Sequence, residues 1–246
     1  MLKDRATGKI DNDREKMHQH EEKHFTSSDL ITDIVIGMSD GLTVPFALAA
    51  GLSGAVHLNS IILTAGIAEI AAGSIAMGLG GYLAGRTEVD HYDAELKREM
   101  MEVEAVPEKE KQEVRDVFAE MGLGKDTQNL IANEMAKDKE KWVDFMMKYE
   151  LGLDKPDPRR ARNSAFNIGI SYIVGGTIPL MPYVFTKTPQ DGLLYSAIIT
   201  VLCLFLFGFF KARVTGQNAL AGGIRVTLIG SIAAAAAYYI AHLISK

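Results

Sequence analysis

The 246-residue chain has one cysteine, Cys203, set in an apolar run, which excludes an intrachain disulfide and a thiolate metal cluster. No basic stripe interleaved with aromatics occurs, so nucleic acid is not an expected partner. The first 28 residues lack an apolar core followed by a small-residue cleavage site, and they read as a flexible, histidine-bearing tail instead of a cleaved leader. Acid is missing from one long region. After Pro158 the chain holds a single carboxylate, Asp191, whereas 20 of the 31 acidic residues fall between residues 88 and 157. A composition of 48% hydrophobic and 23% charged residues would suit a soluble protein, but this segregation does not. The net charge of −5 is set by the middle segment and the N-terminal part, so it says little about partners.

Five apolar runs are present, at residues 30–56, 61–84, 166–185, 193–210 and 220–244. Each is near or above the roughly 20 helical residues that cross a hydrocarbon core about 30 Å thick. The expected fold is therefore all-α: a polytopic membrane protein with five transmembrane helices and a three-helix, carboxylate-rich module. The expected organisation is a tail at 1–28, two spans at 29–87, the module at 88–158 and three spans at 159–246. Arg159, Arg160 and Arg162 precede the third span, and Lys211 and Arg213 follow the fourth. Short basic flanks mark the cytosolic side, which places the N-terminus and the module there and the C-terminus across the membrane. The opposite-side turns agree, since residues 53–60 have no Lys or Arg and residues 186–192 have only Lys187.

Three acids interrupt the first two spans. Asp40 lies ten residues into the first, and an ionised carboxylate in hydrocarbon has to face protein, water or a cation. Pro45 follows five residues later and cannot donate to the carbonyl one turn back, which can free an oxygen near the acid. Asp33 lies nearer the expected cytosolic end and is read as a guide for cations at the pathway mouth, whereas Asp29 is read as a helix cap. In the second span Glu69 and Met77 are two turns apart on similar faces, with Gly73 between them leaving space. A thioether is a soft ligand that favours a transition metal over calcium or magnesium. GMSDG at 37–41 and GYLAG at 81–85 have the small-x-x-x-small spacing of closely packed membrane helices, which alone does not identify a dimer face.

From Gly85 to Pro107 no glycine or proline intervenes, so the second span is expected to continue into the cytosol as one rigid helix. A second module helix follows Pro107 and ends near residues 121–124, and a third is expected from about 126 to 151. Residues three or four apart share a helical face, so Glu99 with Glu102, Glu110 with Glu113, and Met146 with Glu150 can each aim two ligands at one point. Brought together, they form an oxygen-plus-thioether set suited to Fe(II), Mn(II) or Zn(II). The competing reading is a solvated face, because Lys97, Arg98, Lys109, Lys111 and Arg115 are interspersed and exposed pairs contribute little. His18, His20, His24 and His91 are weaker candidate ligands.

The segments DIVIGMSDGLTVPFALAAGLSG at 33–54 and AEIAAGSIAMGLGGYLAGRTE at 68–88, with the ExxE pairs after them, resemble the vacuolar iron transporter family. That resemblance implies a homodimer with a pore between subunits in the vacuole membrane, and Fe(II) moving from cytosol to lumen against protons. It also implies Mn(II) or related ions as further cargo, with Zn(II) and Co(II) as possible surrogates. By the same resemblance, Asp40 and Met77 line the pathway, Glu69 handles ions or protons, and Glu99, Glu102, Glu110, Glu113, Met146 and Glu150 bind metal on the cytosolic side. The rival classes are a membrane-anchored di-iron oxidase, which would leave Asp40 and Glu69 unexplained and lacks the ExxH repeats of a di-iron box, and a metal sensor. A transporter is expected, not an enzyme.

Overall fold

The computed structural model describes residues 26–244, which form eight α-helices and no strand among the described residues. The tail histidines His18, His20 and His24 lie outside them. Helix α1 (Thr26–Ser53) runs unbroken through Pro45, so the proline leaves the Gly41 carbonyl without its helical donor but does not end the helix. Helix α2 (Asn59–Ala105) has 47 residues, or about 70 Å at 1.5 Å per residue. That is more than twice a bilayer core, so its second half projects out of the membrane. A single buried stripe runs along it, from Ile62, Gly66 and Ile70 through Gly78, Gly81 and Gly85 to Tyr92, Glu99 and Val103.

Helix α3 (Pro107–Glu120) starts with proline at its first turn, where the missing amide hydrogen costs nothing, and Gly122 at φ 84° turns the chain after it. The segment expected as one helix from about 126 to 151 is interrupted, giving α4 (Lys125–Met135) and α5 (Lys139–Tyr149). The reason is local: Asp138 adopts an extended conformation and accepts from the Lys141 amide at 3.3 Å, which starts a new helix. Three long apolar helices follow, α6 (Arg160–Phe185), α7 (Pro189–Val214) and α8 (Ala219–Ile244). The fold is thus all-α and polytopic, with five helices long and apolar enough to cross a membrane: α1, α2, α6, α7 and α8.

Helix α6 is the centre of the membrane part, with α1 and α2 both packed along it. Both glycine motifs are spent on these seams within the chain. A Cβ at Gly37 or Gly41 would collide with the carbonyls of Ile168 and Tyr172, and one at Gly81 or Gly85 would meet Ile168, Ser164 and Ala161. Backbones this close are the usual substitute for hydrophobic drive between helices in lipid. The outer faces stay apolar, with Ile75, Ile198, Leu202, Leu228 and Ile232 all exposed. Water would not tolerate so wide an apolar surface, while hydrocarbon does. The module has its own core, in which Val103, Val114, Trp142, Val143, Met146 and Met147 are buried together.

Candidate metal centre

Three carboxylates converge beside that core from three helices. Glu99 comes from the projecting half of α2, Glu110 from the first turn of α3, and Glu150 from the C-cap of α5. One oxygen of each lies within 4.8 Å of the others. Glu99 is 1% and Glu110 0% exposed, whereas Glu150 stands at the open edge. Both oxygens of Glu110 and one of Glu99 are buried without a hydrogen-bond donor. An unpaired buried carboxylate is costly, and a cation at the point of convergence would remove that cost. Converging carboxylate oxygens suit a divalent first-row ion.

The second member of each glutamate pair, Glu102 or Glu113, is half-buried at the rim. Arg98 Nε lies 3.8 Å from Glu102, and Lys109 Nζ lies 2.8 Å from Glu113 and 3.7 Å from Glu110. The interspersed cations therefore do make the surface pairs expected of a solvated face, and Arg98 and Lys109 also approach Glu99 and Glu110 at 3.6 and 3.7 Å, yet Glu99 Oε2 and both Glu110 oxygens keep no hydrogen-bond donor. Met146, one turn before Glu150, is fully buried in the module core. A cleft of about 440 Å³ elsewhere in the module, lined by Tyr92, Leu96, Met147 and Lys155, shares none of these carboxylates.

Crowding raises the proton affinity of the cluster. Desolvation, then the charges of Glu113 and Glu99, push Glu110 from the ordinary carboxylate value to about 7. Glu150 also reaches about 7 through desolvation and the charges of Glu113 and Glu99, and Glu99 is raised by burial and by Glu102. These groups bind protons more tightly folded than unfolded, so their contribution to metal-free stability is fully present below the unfolded value near 4.5 and is lost as pH rises towards 7. Trp142, the only tryptophan, is 2% exposed in the module core and reports its unfolding. Its fluorescence is expected to give a melting temperature about 5 °C lower at pH 8 than at pH 5.5 in metal-stripped protein. With Fe(II) or Mn(II) bound, the order reverses, because metal displaces those protons.

In the membrane part, Asp40, Glu69 and Met77 are each partly exposed. Glu69 accepts a short hydrogen bond from the Tyr172 hydroxyl of α6, and its other oxygen is buried without a donor. Tyr172 also fills the gap left by Gly73, so the space expected between Glu69 and Met77 is occupied by its ring. Its backbone carbonyl contacts the Gly41 position, next to Asp40. Asp33 is placed differently from an open pathway mouth: it is 1% exposed and paired with Arg160 of α6 at 2.9 Å. Tyr172 and Arg160 were missed as site residues. In sequence Arg160 is only a topology signal, but a tyrosine inside an apolar span is itself a sign of a buried polar partner.

Five membrane-length helices, one of which carries an acid, Glu69, inside the span and a member of the carboxylate cluster, Glu99, beyond it, define a multi-span membrane protein with a module compatible with a divalent cation. The chain belongs to the VIT family, whose profile its residues 31–242 match. It is 51% identical over 230 residues to vacuolar iron transporter 1 of Tulipa gesneriana, covering 94% of this chain and 93% of that one. Vacuolar iron transporter 1 of Arabidopsis thaliana is also 51% identical, over 93% of this chain and 91% of its own. Protein CCC1 of Saccharomyces cerevisiae is 36% identical over 98% of this chain and 77% of its own.

Proposed function

We propose that this chain carries Fe(II), with Mn(II) and related divalent ions as secondary cargo, from the cytosol into the vacuole in exchange for lumenal protons. The observation that carries the reading is the continuity of α2, which holds Glu69 and Met77 within the membrane and Glu99 and Glu102 beyond it on one helix. Glu99, Glu102, Glu110, Glu113, Met146 and Glu150 collect the ion, and Asp40 and Met77 bind it in the span. A proton arriving at Asp40 or Glu69 from the lumen removes charge and ligand capacity together, which releases the metal. The partial exposure of all three membrane groups supports a homodimer that covers them and forms the pore. The basic flanks support a cytosolic N-terminus and module and a lumenal C-terminus. An oxidase reading of the module draws no support from relatives named as iron transporters.

Purified protein in sealed proteoliposomes, acidic inside, is expected to accumulate Fe(II) and to alkalinise the lumen as it does so. Collapsing the pH gradient is expected to slow uptake severalfold. Mn(II), Co(II) and Zn(II) in the same assay rank the cargo. Uptake that ignores the gradient overturns the exchange, and Fe(II)-dependent oxygen consumption without uptake would instead mark an oxidase.

A further inference from the structure

Asp29, Asp33 and Asp40 occupy positions i, i+4 and i+11 of α1 and so share one stripe of the helix. The stripe runs from the module side to the middle of the span, with about 10 Å of helix axis between Asp33 and Asp40. A cation is already bound to its first two members. Arg160 Nη1 donates to both oxygens of Asp33, at 2.9 and 3.1 Å, and its Nε lies 3.4 Å from Asp29. Ser164 Oγ and Asn167 Nδ2 complete the shell of Asp33 at 2.9 and 3.3 Å. The Arg160 side chain keeps 21% of its surface open, against 2% for Asp33, so the arginine is the exposed half of the pair.

We propose that Arg160 is a resident counter-cation closing the module-side mouth of this acid file, which a divalent ion displaces from Asp33 on its way to Asp40. The proposal rests on the transport reading above. An arginine is charged at every physiological pH, so the mouth stays closed to weakly held ions whatever the local acidity. Displacement does not strand Asp33, because Ser164 and Asn167 remain to hold its carboxylate in place. The geometry also supplies a lever. Arg160 is the first residue of α6 and follows a linker stiffened by Pro156 and Pro158, whose other end is the cluster ligand Glu150. A shift of the module on loading therefore reaches Arg160 before any other part of the membrane region on that strand of chain.

The alternative role for the pair is a static clamp between α1 and α6, and transport kinetics separate the two. In proteoliposomes, Arg160→Gln is expected to lower the apparent KM for Fe(II) by about fivefold or more, the lower end of ordinary coupling between competing sites. An unchanged KM with reduced maximal rate and melting temperature overturns the proposal in favour of the clamp. Asp33→Arg combined with Arg160→Asp re-forms the pair with reversed charges. The proposal expects loss of uptake from it, because a cation then sits on α1 itself, and restored uptake overturns the proposal. Should Arg160→Gln fail to fold, Arg160→Lys keeps the charge without the two-point grip. It is expected to shift KM downward by a smaller factor, and no shift overturns the proposal. A parental protein that takes up no Fe(II) sinks the transport reading itself and is seen before any variant is compared.

Discussion

Asp40→Ala is expected to cut Fe(II) uptake by about 100-fold or more, since loss of supporting residues alone can weaken a metal site by 10–100-fold. The position explains the size of the effect. Asp40 stands in the middle of α1, directly before a glycine whose backbone touches the Tyr172 carbonyl and five residues before the proline that frees the Gly41 carbonyl. An ion leaving water there must replace its hydration shell with protein oxygens, and no other carboxylate lies on α1 beyond it. Asp40→Asn keeps shape and polarity but loses charge, and is expected to be nearly as inactive. The melting of the module, read at Trp142, is expected to stay at the parental value in both variants. Parental uptake by Asp40→Ala would remove the residue from the pathway.

The membrane layout was legible because lipid imposes a simple rule: a helix must be apolar for about 20 residues and acids inside it need a reason. All five spans and the projection of α2 follow from it. What periodicity left open was which helix each polar group meets. Asp33 and Asp40 share a stripe on α1, and sequence separates them only by depth in the span, yet α6 brings Arg160, Ser164 and Asn167 to the first. Those partners lie more than 120 residues away, and no local signal marks the pairing.

The same limit applies to the glycines. GMSDG and GYLAG announce close approach, but only the fold reveals that both approaches are to α6 within one chain. In the module the ExxE spacing sets each glutamate pair on one helical face, and it is the fold that brings Glu99 and Glu110 to one point with Glu150. The spacing did not distinguish the inner members of the pairs from the outer ones. Glu99 and Glu110 are buried because they continue apolar stripes that include Val103 and Val114, whereas Glu102 and Glu113 fall one position outside those stripes and stay partly exposed. The break between α4 and α5 was missed because Asp138 sits in a run of alternating charges, where its capping role does not stand out.

Glu110→Leu is expected to make the metal-free protein more stable while abolishing its use of the cluster. Glu110 is fully buried, and neither oxygen has a donor. Val114, one turn further along α3, belongs to the buried module core, so a leucine at 110 extends an apolar stripe already present on that helix. Replacing a buried charge that has no hydrogen-bond donor and only a loose contact with Lys109, at 3.7 Å, by a packed hydrophobic side chain is expected to raise metal-free stability by about 1–3 kcal/mol at pH 8. The gain shrinks at pH 5.5, where Glu110 is protonated and no longer carries a charge to bury. Affinity for Fe(II) or Mn(II), followed as the rise in Trp142 melting temperature with added metal, is expected to fall by about 100-fold. Glu110→Gln separates the two effects, keeping the polar volume and the loss of metal without the full apolar gain. A leucine variant that melts below the parental protein at pH 8 without metal would mean that Glu110 already has a stabilising partner there. The cluster would then be an ordinary structural network, and the carboxylates would have no unmet charge with which to attract an ion.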